Sequence, residues 1–257
     1  MTTFAAFSLE PLSPLHLGSR RAGVVAQTHR HAPGHLFTYA LAAAVGMHRG
    51  TSVDFFAAAL DEVTRRFRFG PAFFMEAARR LDDADVERRL IASSHHVTLD
   101  SDSRSAVESA LFEVEAIQVR RGIHLAGGVW MEDGDKIDGR SLKEWLSDIR
   151  LGGEQKTGMG RVRCENWQAG AKIYPGVGPA GESGVRLDAG GLLPGAAVDG
   201  VEGVPLVPWV GRRFDARLGF GRALTKALLV RCDGFASVDG CFIPATGTKA
   251  GCWQQNP

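Results

Sequence analysis

Residues 151–161 read LGGEQKTGMGR, four glycines and two cations between a helical pattern and a strand pattern. Upstream, Leu142, Trp145, Leu146 and Ile149 recur at three- and four-residue intervals, which puts them on one face of a helix of about three turns. Asp138 precedes that segment and is its candidate cap, because a short acceptor side chain satisfies a free amide at a helix start. Downstream, VRCENW alternates Val162 and Cys164 with Arg163 and Glu165, the two-residue period of a half-exposed strand. The glycine-rich segment is therefore a loop joining a helix to a strand.

Working outward, residues 3–9 carry Phe4 and Phe7 ahead of Pro11 and Pro14, a first strand ended by prolines. Residues 11–34 hold prolines, glycines and cations with little periodicity and are predicted to be a long basic loop. Residues 35–45 and 52–67 are helical in composition, with Ser52 placed as a cap. Pro71 suits the first turn of a further helix over 71–81, where Phe73, Phe74, Ala77, Ala78 and Leu81 form a buried stripe. Residues 94–99, 111–119 and 123–131 are β-branched or alternating and predict strands. The order β-α-β-β-α-loop-β predicts an α+β protein with a ferredoxin-like, RRM-like βαββαβ unit, whose glycine-rich loop precedes the last strand.

After Trp167 the character changes, since residues 168–257 hold 17 of the 32 glycines and little helical periodicity outside a stretch near Leu224. The expected organisation is a ferredoxin-like domain over 1–167 and a glycine-rich, β-rich C-terminal part over 168–257. Its best strand candidates are residues 228–231 and 241–243, with 170–204 read as irregular loop.

A hydrophobic share of 44% and a charged share of 23% are those of an ordinary globular chain. Net charge is only +1, so attraction of a polyanion has to come from a local strip. The first fifty residues supply one, with Arg20, Arg21, Arg30 and Arg49 against Glu10 and five of the eight histidines. Residues 82–87, DDADVE beside arginines, read as a solvated helical surface. Cys164, Cys232, Cys241 and Cys252 form no CxxC pair, so reduced thiols and no structural zinc are expected. With no leader and no apolar run of roughly 18–20 residues, a cytoplasmic, membrane-free protein is expected.

In the loop itself, Gly152, Gly153, Gly158 and Gly160 permit positive φ angles and close approach of another molecule to the backbone. Lys156 and Arg161, with Arg163 just beyond, add charge beside exposed amides, a combination suited to phosphate oxygens. The plainer alternative is a tight helix-to-strand connection. GxxxxGK[ST] is absent, and the loop does not follow a strand as a dinucleotide-binding GxGxxG must, so no nucleotide cofactor is expected.

Placed between the second helix and last strand of such a unit, LGGEQKTGMGR resembles the glycine-rich loop of the RAMP superfamily of CRISPR proteins. SPLHLGSRRAG at 13–23 and HHVTLDSDSRSAVESALFEVE at 95–115 also look like patterns of its type III effector subunits. The resemblance covers residues 3–167. It implies an RRM-like fold that binds CRISPR RNA within a ribonucleoprotein complex of antiviral defence. The prominent loop and the extra C-terminal part look more like the subunit that caps the 5′ repeat-derived handle than like a spacer-bound backbone subunit. Other RAMP subunits and the large subunit are the implied partners, with target RNA reached indirectly. The RNP aromatics of an RRM are not visible, so contacts to the RNA backbone are expected rather than stacking on a bare sheet. Lys156, Arg161 and Arg163 around the glycine loop form the expected RNA contacts, with Arg20, Arg21, His29, Arg30 and His31 as a second strip.

Some RAMP proteins cleave RNA without metal through histidine, whose ordinary pKa suits proton transfer. His29 and His31 in THRH are the candidates, but here the chain continues far beyond the loop, unlike the superfamily's processing nucleases, which favours binding over cleavage. Asp100 and Asp102 in LDSDSRS are weighed because some backbone subunits cut target RNA with a loop aspartate; the alternative is a solvated turn. His95 and His96 open a strand, where alternation predicts one core histidine. No catalytic residue, metal or cofactor is assigned.

Overall fold

The computed structural model describes residues 2–197, 206–209, 212–215, 219–224, 228–231, 237–245 and 252–256. The chain is a mixed α/β fold with several sheets. Strand β1 (Thr3–Pro11) leads into a hairpin, β2 (Gly18–Ala22) and β3 (Val25–Thr28), within the stretch expected to be loop. Helices α1 (Gly34–Arg49) and α2 (Val53–Arg66) follow, the second capped by Ser52, which accepts from the Asp54 amide at 3.3 Å. Next come β4 (Phe67–Phe69), β5 (Phe73–Glu76), β6 (Arg79–Arg80) and α3 (Asp83–Leu90).

The segment expected to be a helix over 71–81 is thus a hairpin, β5 and β6 pairing antiparallel through Met75–Arg80 and Glu76–Arg79. Its turn falls on Ala77, at φ 52°, and Ala78. An alanine in the left-handed region costs about 1–2 kcal/mol and gives none of the glycine or asparagine signal by which tight hairpins are recognised. Phe73, Phe74 and Met75 are all buried because both faces of this sheet are covered, which replaces alternation by a continuous apolar run.

Strands β7 (Ile91–Leu99) and β8 (Ala106–Ile117) form a long hairpin, followed by β9 (Ile123–Met131), the short pair β10 (Lys136–Ile137) and β11 (Arg140–Ser141), helix α4 (Leu142–Asp148) and β12 (Val162–Ala169). The main sheet runs β12-β1-β9-β5-β6, with β4 also on β9, and every neighbouring pair is antiparallel. Residues 94–99 and 111–119, expected in the central sheet, instead belong to a separate sheet of order β2-β3-β8-β7. The expected Asp138 cap is also displaced. Asp138 sits at φ 50° in the β10–β11 turn and binds Arg49, while Ser141 caps α4 in a reciprocal box with Glu144. That S-x-x-E spacing was readable in the sequence.

Alternation along β1 and β9 sends side chains to two cores. Phe7, Leu9, Leu125 and Val129 join Phe37, Leu41, Val63, Trp145 and Leu146 of the helices on one face. Phe4, Ala6, Phe73 and Trp130 face a second sheet on the other. That sheet has the order β13 (Ile173–Tyr174), β14 (Gly178–Gly181), β15 (Gly184–Leu192), β20 (Ser237–Pro244) and β21 (Trp253–Asn256). Trp130 meets Trp253 edge-on at 6.2 Å and donates to the Gly181 carbonyl at 2.8 Å, so a large aromatic seam joins the two sheets with its polar handle satisfied. Three strands therefore run through 170–204 where irregular loop was expected. Between β15 and β20, β16 (Leu206–Trp209) pairs with β19 (Leu228–Arg231), and β17 (Arg212–Asp215) with β18 (Gly219–Leu224). Leu224 thus closes a strand rather than lying in a helical stretch, and Cys232 is outside the described residues. Among the described residues no helix is long and apolar enough to cross a membrane.

Candidate functional site

The glycine loop is a rigid base carrying an exposed tip. Buried Ile149 and Leu151 anchor its start. Gly152 stands at φ 81°, and a Cβ there would lie 2.1 Å from the His16 carbonyl oxygen. Gly153 donates its amide to that oxygen at 2.8 Å. At the far end Gly160, at φ 92°, donates to the Pro14 carbonyl at 2.9 Å and accepts from the Leu151 amide at 2.9 Å. The Arg161 amide donates to Ser13 Oγ at 2.9 Å, and the Leu12 amide to the Arg161 carbonyl at 2.8 Å. Gly152 and Gly160 thus serve close internal approach, as the plainer reading of the loop requires.

Residues Gln155–Thr157 form the tip, a single tight turn between Glu154 at φ 54° and Gly158 at φ 93°, both left-handed. A Cβ on Gly158 would meet nothing within 4 Å. The amides of Gln155 and Lys156 donate no hydrogen bond among the described residues, and both side chains are exposed. Cationic side chain and unpaired N–H groups therefore coincide at the tip, with the base held by residues 12–16.

His16 also connects this loop to the basic hairpin. Its ring Nδ1 lies 2.7 Å from the Glu115 carbonyl, and two residues on, Gly18 begins β2. Arg20 and Arg21 are exposed along β2, Arg20 lying about 7 Å farther along the strand than Gly18 at 3.3 Å per residue. Arg20 donates from Nε to Gln27 at 2.6 Å, which holds its stem on the hairpin. The fold thus assembles Lys156, Arg161, Arg20 and Arg21 on adjoining elements from opposite ends of residues 1–167.

The other expected contacts are placed differently. Arg163, exposed on β12, is engaged by Glu10 and by Glu165 at 3.8 Å. Arg30 donates to the Thr28 carbonyl at 2.9 Å and pairs with Glu87 at 3.3 Å. His29 follows the hairpin and donates its amide to the Leu17 carbonyl at 2.8 Å. His31 turns inward against Phe73, ring centres 5.8 Å apart, and burial, then the proximity of His35 and Arg80, lowers its pKa to about 4. His31 is therefore a neutral ring at physiological pH and contributes no charge to the strip.

Asp100 closes the turn of the β7–β8 hairpin. Its Oδ1 accepts from the Ser103 amide at 2.8 Å, the Ser103 hydroxyl at 2.9 Å and the Asp102 amide at 3.0 Å, bonds that hold its carboxyl below the usual range. Those are the bonds of a solvated turn. The expected core histidine is not found: His95 is exposed, and half-buried His96 stacks on Phe112 at 5.2 Å. His95 lies opposite Glu113 and His96 opposite Phe112 on β7, the edge strand of its sheet. Among the described residues no group of three or more His, Cys, Asp or Glu is arranged to hold a metal ion. Sequence reasoning missed the clamp made by Ser13, Pro14 and His16: the Pro14 and His16 carbonyls carry no residue-type signal, and the Ser13 hydroxyl meets the Arg161 amide only through tertiary packing.

Comparison with known proteins bears on this arrangement. Residues 91–174, which include the glycine loop and β12, match the family described as CRISPR-associated protein (Cas_Cmr3). No curated protein matches the chain. A chain from the cryo-EM structure of the Type III-B Cmr-beta bound to cognate target RNA and AMPPnP, state 1, superposes with a TM-score of 0.57 at 10% identity, covering 98% of this chain and 99% of that one. A chain from the cryo-EM structure of the Type III-B Cmr-beta bound to cognate target RNA gives 0.54 at 12% identity, over 91% of this chain and 86% of that one. At these identities the likeness is one of fold.

Proposed function

We propose that this chain is a RAMP-superfamily, CRISPR-associated effector subunit, an RNA-binding component of a type III effector ribonucleoprotein. It holds the CRISPR RNA backbone, at the 5′ repeat-derived handle, and reaches target RNA only through that guide. Other RAMP subunits and the large subunit are its protein partners. One observation carries this reading: the pinned loop presents Lys156 beside two amides that donate no hydrogen bond among the described residues, and His16, which pins it, leads two residues on into the strand of Arg20 and Arg21. Phosphate contacts of this kind fix register without reading sequence. The match of residues 91–174 to the Cas_Cmr3 family supports it independently.

We assign the main sheet to a ferredoxin-like, RRM-like unit over 1–167, with 168–257 as a C-terminal extension. In support, β1, β5, β9 and β12, taken as strands one to four, run four-one-three-two, all antiparallel, with α1–α2 and α4 in the crossover positions. The extension's sheet covers the face opposite the helices through Tyr174, Phe242 and Trp253. That cover leaves no bare central sheet for stacked bases, which favours the loop and hairpin as the RNA-facing surface.

The test is binding of labelled repeat-containing RNA by the chain, alone and in the assembled complex, with and without a chelator. Lys156→Ala/Arg161→Glu is expected to weaken binding at least about tenfold, and no cleavage is expected. Absence of binding in both settings would reject the reading. Cleavage abolished by His29→Ala/His31→Ala would reject its non-catalytic part.

A further inference from the structure

Helix α1 has an unusual composition for a surface element. From His35 to Met47 it reads HLFTYALAAAVGM, without a carboxylate, lysine or arginine. One face, with Phe37, Leu41 and Val45, is in the core. An amphipathic helix would turn a polar face outward, whereas a helix apolar all round expects cover on both sides. Here the second face carries Leu36, Tyr39, Ala43 and Met47, with Tyr39 38% and Met47 78% exposed.

That face is the floor of a groove of about 720 Å³ whose opposite wall is the glycine loop. Gly18, Gly152 and Gly153 line the wall, and Arg150 and Lys156 stand on it, both exposed. Asp148 also lines the groove but is bound to Arg140, so it does not cancel those cations. The small side chains of Ala40, Ala43 and Ala44 make a shallow shelf beside the Tyr39 ring. An apolar, aromatic floor with two cations along one lip complements a nucleotide: a flat base on the floor and its phosphate at the lip. The groove is continuous with the loop tip described above.

We propose that this groove takes one unpaired base of the bound RNA, stacked against Tyr39 over the α1 alanine shelf, while its phosphate lies at Arg150 and Lys156. The inference rests on the proposed RNA-binding role of the loop and adds a base contact to a surface otherwise argued from phosphates. Stacking on an aromatic tolerates any base, so the pocket contributes affinity and register more than sequence choice.

The full chain is titrated with two fluorescent single-stranded probes of equal length, an oligouridine and its abasic ribose-phosphate counterpart. Tyr39→Ala should weaken binding of the oligouridine about tenfold and leave the abasic probe unchanged, with Tyr39→Phe restoring affinity. Lys156→Ala should weaken both probes alike. Should Lys156→Ala change neither probe while Tyr39→Ala stays selective, the loop reading and the phosphate contact at Lys156 both fail, and only the stacking on Tyr39 stands. Equal losses on both probes for Tyr39→Ala, no loss on either, or equal wild-type affinity for the two probes would each overturn the base site. So would a Met47→Asp variant that disturbs self-association or complex assembly while Tyr39→Ala leaves RNA affinity intact, because the face would then belong to a protein partner.

Discussion

The His16 carbonyl oxygen accepts the Gly153 amide at 2.8 Å and lies 2.1 Å from where a Cβ on Gly152 would stand. Two glycines are thereby fixed by one backbone oxygen. Gly152→Ala meets both a left-handed φ and a hard backbone clash, and should cost about 2 kcal/mol or more. Gly158→Ala meets only the φ, at about 1 kcal/mol. Thermal unfolding should therefore show a clearly larger fall in Tm for Gly152→Ala. Equal falls would mean that the loop base yields as readily as its tip.

His31 and His35 both have pKa values lowered to about 4, by burial first. A histidine freed by unfolding titrates near 6.5, so between about pH 6.5 and 4 the unfolded chain binds more protons than the folded one. Stability is therefore fully present above that window and is lost as pH falls through it. His31→Asn should flatten this part of the profile, by roughly 2 kcal/mol between pH 7.5 and 4.5. Urea unfolding across that range measures it, and unchanged slopes would show that His31 is open to protonation in the fold.

The elements most legible in the sequence are those whose environment has one polar side. The Val162–Cys164 alternation of β12 and the Leu142–Trp145–Leu146 stripe of α4 each face one core and one solvent side, so period reveals them. Phe73, Phe74 and Met75 lie in a sheet covered on both faces, and their hairpin turns on an alanine, so the residue spacing imitated a helix. Within the candidate site, Lys156 and Arg161 could be singled out because charge and glycine are residue-type signals. The oxygens of Pro14 and His16 that pin the loop are common to every residue, and the neutral state of His31 follows from neighbours brought in by tertiary packing.

Cys164 provides a check on the packing of β12 against α4. Burial pushes its thiol up to about 11, while the half-exposed Cys241 lies near the surface on β20. Since the thiolate is the nucleophile, alkylation of Cys164 at pH 8 should be at least about a hundredfold slower than that of Cys241. Peptide mapping after timed iodoacetamide treatment gives both rates. Similar rates would place β12 in frequent exchange with an open state.

Arg161 and Arg163 are separated by one residue and are not equivalent. Arg163 is engaged by Glu10 and Glu165, whereas the Arg161 amide is tied to Ser13 and no ion pair involves its side chain among the described residues. A phosphate approaching Arg163 has to compete with two carboxylates, and those carboxylates repel it. Arg161→Ala and Lys156→Ala should each weaken RNA binding and reduce the slope of log K against log salt by about 0.7, the value for one contact to a single strand. Arg163→Ala should leave that slope nearly unchanged, because removing it frees two carboxylates without removing a bound counterion of the RNA. Binding isotherms at several salt concentrations read all three variants. If Arg163→Ala gives the largest fall in slope, the RNA path runs along β12 and away from the loop tip.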